Sequence, residues 1–297
     1  MTQRLEGKPV AEALDAGSRA AIASAPAGVG PPSLVSVHRG IDSPFRFYLK
    51  RQAKAAAQVG VRFRDEPLSP SGGPRDLLDR MRILDADASV HAVLLEHPLP
   101  APFDFYQAVG ELRPEKDVDG VGPANLGRLV AQRPAHVPAV ALAALAIAQH
   151  YRLPLEGERV AVLGRSETVG LPLALLLAGK SMGIHATVTI LHSRTRDLRA
   201  ALSESRTIFS CVGQPGLLNR STVPEGANVV DVGVSSVPDP SRPGVQISVG
   251  DADPKALDGW AASLTPVPGG VGPVTAAQLM TSTVLAWQRL TRPEDSG

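Results

Sequence analysis

The chain is short of the residues that several functions require. It has a single cysteine among 297 residues, Cys211, so no internal disulfide framework can form and a reducing, cytoplasmic setting fits. The apolar neighbours of Cys211 read as those of a buried strand residue rather than of a nucleophile. Aromatic residues make up 4%, too few for a base-stacking platform, and a formal charge of +1 gives no electrostatic case for a nucleic-acid partner. The seven histidines fall into no ligand spacing, so no metal is expected. Long apolar runs are missing too. VPAVALAALAIA, Val137 to Ala148, falls short of the roughly 20 residues that span a bilayer, so it reads as a buried helix and no membrane partner is expected. The opening MTQRLEGKPV lacks the apolar stretch of a secretion signal.

What is present belongs to a soluble globular chain, 43% hydrophobic and 20% charged, long enough for two moderate domains. Strand-length apolar runs alternate with alanine-rich stretches: SLVSVH (Ser33 to His38), Arg51 to Val59, HAVLLEHPLP (His91 to Pro100), then the apolar helix after Pro138. That alternation predicts a parallel sheet flanked by helices. A second series starts near Arg159: RVAVLG runs into a helix through Leu171 to Leu177, followed by TVTILHS, RTIFSCVG and NVVDVGV. Four strand signals with helices between them describe a doubly wound nucleotide-binding half, and the turn-rich PLEGE before Arg159 suits a boundary. The fold class expected is therefore two-domain α/β. SSVPDPSRPGVQ, Ser235 to Gln246, reads as a loop, and residues 293–297 read as a flexible tail.

VLGRSETVGLP, Val162 to Pro172, lies where a strand gives way to a helix, the place where backbone N–H groups and the helix dipole can hold a pyrophosphate. Gly164 allows a tight turn and Gly170 close helix packing, while Ser166 occupies the place of the usual second glycine. The following strand ends in His192, Ser193, Arg194, Thr195 and Arg196, with no carboxylate before Asp197. A hydroxyl plus guanidinium groups, with Arg165 nearby, suits a 2′-phosphate, so NADP is favoured over NAD.

Two further stretches, RPEKDVDGVGPANLG (Arg113 to Gly127) and TPVPGGVGPVTAAQL (Thr265 to Leu279), join VLGRSETVGLP in an order that resembles the methylenetetrahydrofolate dehydrogenase/cyclohydrolase family. The likeness runs from GKPVA near the start to the last helix. It implies an amino-terminal α/β catalytic domain over 1–139, joined by the C-terminal helix 274–292, and a Rossmann-type NADP-binding domain over 140–273, with the active site in the cleft between. It also implies a folate substrate, a homodimer, and two steps: hydride transfer from a methylene group to NADP, then hydration of the methenyl cation. Tyr48 matches the family tyrosine beside the folate and Asp119 the carboxylate that holds the pterin. Pro268, Gly269, Gly270, Val271 and Gly272 match the substrate-side loop, and Leu95, Glu96 and His97 the substrate-side strand end. Gly164, Arg165, Ser166, Ser193, Arg194 and Val234 match cofactor positions.

Two departures bear on the chemistry. The family pattern is Tyr-x-x-x-Lys, with the lysine assigned to proton handling in the hydration step; here Gln52 stands four residues after Tyr48, and Gly60 fixes the register. At about 100° per residue Gln52 lies roughly 40° from Tyr48 around the helix, with Lys50 and Lys54 on the far side. The family glutamine that touches that lysine is replaced by Glu96, followed by His97. The expected function is therefore an NADP-dependent methylenetetrahydrofolate dehydrogenase with weak or absent cyclohydrolase activity, Tyr48, Gln52, Glu96 and Asp119 occupying the catalytic positions. Three alternatives stay open: a bifunctional enzyme that uses Glu96 or His97 as base, a paralogue acting on another folate-like compound, and a silent binder of folate or NADP.

Overall fold

The computed structural model describes residues 1–39, 43–180, 183–239, 241–242 and 244–291, with residues 43–47 described in backbone only; the tail 293–297 lies outside them. The chain divides into two compact units. One comprises Glu12–Ala139 and the chain from Ala276 onward, the other Met1–Ala11 and Val140–Thr275.

In the first unit the strands Ser33–His38, Arg62–Pro67 and Ala92–Leu95 form a parallel sheet with Ser33–His38 in the middle. Strand alternation sends Leu34, Ala92 and Leu94 to one face, where they meet Ala55, Ala56 and Val59 of the helix Ser43–Val59 and Leu279, Met280, Val284 and Trp287 of the last helix. Val35, Val37, Val93 and Leu95 face the other way, onto Leu77, Met81 and Leu84 of the helix Pro74–Ala86. Both faces are covered, as a parallel sheet requires. Trp287 is 1% exposed and donates its indole N–H to the Gly30 carbonyl at 2.9 Å. The strand Arg62–Pro67 has no counterpart among the sequence signals: RFRDEP is a charged, largely exposed edge strand, which the sheet accepts because only one side of it is paired.

The second unit holds a six-stranded parallel sheet in the order Gln3–Arg4, Ser263–Leu264, Asn228–Asp231, Thr207–Ser210, Arg159–Leu163, Thr187–Leu191. Arg159–Leu163 lies between its two sequence successors, so connections diverge beside its carboxyl end and leave a crevice there. Three features differ from the sequence reading. The first residues extend this sheet, through Gln3 N–H to Ala262 O and Leu5 N–H to Leu264 O, both 2.9 Å, instead of lying with the rest of 1–139. The proline-rich stretch is not a plain loop: Ser235–Pro238 and Gln246–Val249 pair as an antiparallel hairpin, and the turn residues mark only its tip. The last helix, Val271–Thr291, starts before position 274.

Replacing Trp287 by Ala should cost about 3–5 kcal/mol, the range for deleting a buried large aromatic, and Trp287→Phe clearly less. Urea denaturation followed by circular dichroism measures both, and an unchanged midpoint for the alanine variant would contradict the packing of the last helix on this sheet.

Candidate functional site

On the helix Ser43–Val59, Tyr48 and Gln52 lie one turn apart. Gln52 is 1% exposed and continues the inward row of Ala55, Ala56 and Val59, whereas Lys50 and Lys54 face solvent. Gln52 Nε2 donates to Glu96 Oε1 at 2.8 Å, and Ser36 Oγ donates to the same oxygen at 2.8 Å. Glu96 stands just past the strand Ala92–Leu95, tied to the sheet by its N–H on the Val37 carbonyl at 2.9 Å, and is 8% exposed. Burial therefore raises its carboxyl above the usual range, against the pull of the Gln52 and Ser36 hydrogen bonds and of the His38 charge. His38, two residues along from Ser36 on the same face, places Nε2 2.7 Å from Asp65 Oδ1. Gln52 Oε1 is buried without a hydrogen-bond partner.

Each residue of the KDVDG segment has its own task. Lys116 Nζ donates to the carbonyls of Leu84, Asp85 and Asp87 at the end of the helix Pro74–Ala86. Asp117 Oδ2 accepts from Gly122 N–H and Asn125 Nδ2, both at 2.9 Å. Val93 N–H to Lys116 O, 2.8 Å, pairs the segment with the strand that ends in Leu95 and Glu96. Asp119 emerges beside that strand end with one described hydrogen bond, from Ala139 N–H at 3.2 Å. Burial by its neighbours pushes its carboxyl up to about 7 against that bond, with the Asp117 and Glu96 charges adding. Tyr48 is 41% exposed, yet the groups packed around its hydroxyl, followed by the charges of Glu96 and Asp119, push its phenol up, so it stays a neutral donor beside the Gln52 amide. The structure thus brings Tyr48, Gln52, Glu96 and Asp119 together. Leu95 is buried as the last strand residue, while the exposed His97 turns its ring edge-on to Phe105 at 4.8 Å and is not tied to the Gln52–Glu96 pair. Ser36, His38 and Asp65 were missed; the available signal was a polar residue at every second position of an apolar strand.

In the second unit a cavity of about 560 Å³ opens at the carboxyl end of Arg159–Leu163. Gly164, Arg165, Ser166 and Ser193 line it as expected, together with His192 and Thr195 from the same strand end and with Cys211 and Gln214, which the sequence did not assign to the cofactor. Gly164 has φ +114°, and a Cβ on Gly170 would lie 2.3 Å from the Gly164 carbonyl oxygen, so the loop lies directly on the following helix. Arg194 and Val234 are exposed and stand outside the cavity lining; Arg194 instead donates its backbone N–H to His192 Nδ1 at 3.1 Å. Cys211 lies just past its strand and is partly exposed rather than buried, because the strand Thr207–Ser210 ends where the crevice opens; its thiol is pushed up by the surrounding apolar atoms and is not a nucleophile. Among the described residues no carboxylate lines the cavity, and its guanidinium, hydroxyl groups and closely approached backbone fit a phosphate-bearing dinucleotide.

The loop ahead of the last helix is built against the chain start. Gly7 N–H donates to the Gly269 carbonyl at 2.9 Å, and a Cβ on Gly7 would lie 1.8 Å from the Gly270 carbonyl oxygen, so GKPVA and PVPGG are two halves of one structure. Pro268, Gly269 and Gly270 form the loop, whereas Val271 and Gly272 are already helical, since Gly270 N–H closes the turn on the Pro266 carbonyl at 2.7 Å.

The profile of the tetrahydrofolate dehydrogenase/cyclohydrolase catalytic domain matches residues 5–119, and that of the family's NAD(P)-binding domain matches residues 138–291. The chain belongs to the tetrahydrofolate dehydrogenase/cyclohydrolase family. Among its relatives, the bifunctional protein FolD of Desulfovibrio desulfuricans is 36% identical over 288 residues, covering 97% of this chain and 99% of that protein. The bifunctional protein FolD of Nocardia farcinica is 38% identical, with 97% and 98% covered. The Trypanosoma brucei methylenetetrahydrofolate dehydrogenase-cyclohydrolase, solved with NADP and an inhibitor, superposes with a TM-score of 0.90 at 33% identity over 98% of this chain and 99% of that one. A methylenetetrahydrofolate dehydrogenase from the silkworm Bombyx mori gives 0.89 at 31%, again with 98% and 99% covered. Among the described residues no helix is long and apolar enough to cross a membrane.

Asp119 makes the stability of this family member depend on pH in a direction opposite to that of a salt-bridged carboxylate. Its carboxyl ordinarily titrates at 3.8 and here at about 7, so between those values the folded chain keeps a proton that the unfolded chain has released, and stability falls as pH rises through that window. Asp119→Asn removes this contribution. The melting temperature of the unaltered protein should fall relative to that of the variant between about pH 4 and about pH 7, and parallel profiles would show a solvated Asp119.

Proposed function

We propose that this chain is an NADP-dependent methylenetetrahydrofolate dehydrogenase whose cyclohydrolase step is weak or absent. The observation that carries the reading is the hydrogen-bonded group of Gln52, Glu96 and Ser36, which sets an amide and a carboxylate where the family pattern has lysine and glutamine. Dehydrogenation breaks a methylene C–H bond with its electron pair leaving on hydride, so a neutral substrate becomes a methenyl cation. NADP, when bound, supplies the hydride acceptor. The Glu96 carboxylate, partly desolvated and fixed by two donors, favours that developing positive charge. Hydration makes a different demand, because water must lose a proton as it attacks and a ring nitrogen must gain one as it leaves. The Gln52 amide has no proton to exchange near neutral pH.

Asp119 is assigned to the pterin ring, Tyr48, Leu95 and His97 to the substrate side, and Pro268, Gly269, Gly270, Val271 and Gly272 to the folate loop. For the cofactor, Gly164 and Ser166 suit the pyrophosphate and Arg165 with Ser193 the 2′-phosphate, with Arg194 and Val234 at the margin. A second reading, a bifunctional enzyme with Glu96 as base, is favoured by one observation: burial moves the Glu96 carboxyl toward neutrality, where a general base works best. His97 does not share that support, since it packs on Phe105. A cytoplasmic homodimer completes the proposal, on the family resemblance and the lone cysteine.

With methylenetetrahydrofolate and NADP, NADPH and the methenyl product should accumulate together, and the 10-formyl product should stay at its uncatalysed rate. Glu96→Gln should lower kcat/KM for NADPH formation about 10- to 100-fold, the loss of one electrostatic contact, while Gln52→Lys should raise formyl production. Rapid enzyme-dependent formyl production by the unaltered protein would sink the weak-cyclohydrolase reading in favour of a Glu96 base; absence of NADPH would sink the dehydrogenase. Arg165→Ala combined with Ser193→Ala should raise KM for NADP at least about tenfold more than KM for NAD, and an equal rise for both would remove these residues from the 2′-phosphate.

A further inference from the structure

The sheet face that carries the Gln52–Glu96 pair is apolar at its amino end and polar at its carboxyl end: Leu34 gives way to Ser36 and His38 along the central strand, and Leu94 to Glu96 along its neighbour. Ser36 is fully buried, and its hydroxyl is spent on Glu96. Gln52 reaches the same oxygen from the helix above, so two donors converge on Oε1 from opposite elements. A carboxylate pinned through one oxygen keeps the lone pairs of the other for a ligand.

We propose that Ser36 is a positioning residue that, with Gln52, pins Oε1 of Glu96 and so presents the second carboxylate oxygen to the reacting folate. This deepens the dehydrogenase reading and rests on it. The charged and titratable groups that face Glu96 are His38 on the central strand, Asp65 on the edge strand, Tyr48 on the helix and Asp119 on the KDVDG segment. His38 favours the ionised carboxylate, whereas Asp65 and Asp119 oppose it; Tyr48 stays neutral. Ser36 supplies a hydrogen bond that is stronger to the ionised carboxylate than to the protonated carboxyl. Removing it therefore moves proton affinity as well as geometry.

The test has two readouts on the full-length protein. One is a carbon-13 titration of glutamate side-chain carboxyls, with Glu96→Gln assigning the Glu96 signal, which needs no turnover. The other is the pH profile of kcat/KM for NADPH formation. Because Glu96 works as the anion and its carboxyl is raised, activity should rise with pH through the Glu96 titration, and Glu96→Gln should abolish that acid limb. Ser36→Ala should move both the Glu96 titration and the acid limb upward by about one pH unit, a tenfold gain in proton affinity from one lost hydrogen bond to a charge, and Ser36→Thr, which keeps the hydroxyl, should restore them. Ser36→Ala should leave NADP affinity near that of the unaltered protein and lower the melting temperature by only about 2–4 °C, the loss of one hydrogen bond in a chain of this size, which separates positioning from a folding defect. A Glu96 titration unmoved by Ser36→Ala, or a threonine variant as defective as the alanine one, would overturn the assignment of Ser36 alone. An acid limb that keeps its position in both Glu96→Gln and Asp119→Asn, so that neither carboxyl accounts for it, or a limb that Asp119→Asn alone abolishes, would remove Glu96 from the reaction, and the role of Ser36 with it.

Discussion

Holding carboxylates out of water is the constraint around which the Glu12–Ala139 unit is arranged. A lone charge in an apolar interior is costly, and a chain that keeps one there must supply hydrogen-bond donors or let the group take up a proton. Glu96 shows the first remedy in part: two donors serve one of its oxygens, and burial still wins, leaving the carboxyl raised. Asp119 shows the second. With a single backbone donor and two carboxylates in its surroundings, it titrates at about 7.

Position, not the number of donors, separates these two from the structural carboxylates of the same chain. Asp251, fully buried, accepts from Ser210 Oγ, Val212 N–H and Gln214 N–H, and so knots together the loops at the carboxyl edge of the nucleotide sheet. Asp117 uses one oxygen to hold Gly122 and Asn125, and the turn that delivers Asp119 depends on it. Asp231 takes Gly233 and Ala252 N–H and still rises to about 6, because burial outweighs those bonds and Asp251 lies close. A carboxylate that takes up the N–H groups of a loop organises that loop. Of this set only Glu96 and Asp119 approach Tyr48 and its neighbour Gln52.

The sequence carried the fold where local signals and packing agree. RVAVL, TIFS and NVVD are inner strands whose apolar runs follow directly from being buried on both faces. Two of the edge strands were silent for the same reason reversed: Arg62–Pro67 and Gln3–Arg4 need only one paired side and carry charged or polar residues, so nothing periodic marks them, whereas the edge strand Thr187–Leu191 kept a β-branched run. The proline-rich hairpin was lost because turn residues at its tip mask two short strands. At the site, the helical spacing of Tyr48 and Gln52 and the exposure of Lys50 and Lys54 were legible from a helix period alone. Ser36 and His38 were not, because their meaning depends on Glu96 and Asp65, distant in the chain and brought level only by strand register. Arg194 and Val234 mark the opposite limit: proximity in sequence to the crevice does not decide which way the backbone turns at its rim.

The exchange at positions 52 and 96 preserves a hydrogen bond while inverting a field. In the family pattern an ionised lysine meets a neutral glutamine, a pair of charge +1; here a neutral glutamine meets a glutamate, a pair of charge −1 when ionised, joined through the same kind of N–H to O contact. Packing therefore needs little adjustment, since the amide end of Gln52 still reaches its partner from the same helix face. The electrostatic consequence is large by comparison: a unit charge about 4 Å from another at an effective dielectric of about 20 interacts by about 4 kcal/mol, and the exchange changes the local charge by two. A positive pair opposes formation of a methenyl cation and hastens its consumption by hydration. A negative pair favours formation and holds the cation once made. On the function proposed above, the same two substitutions would remove the proton carrier from the second step and strengthen the driving force of the first, so an enzyme reduced to dehydrogenation follows more naturally from this site than one that has lost both steps.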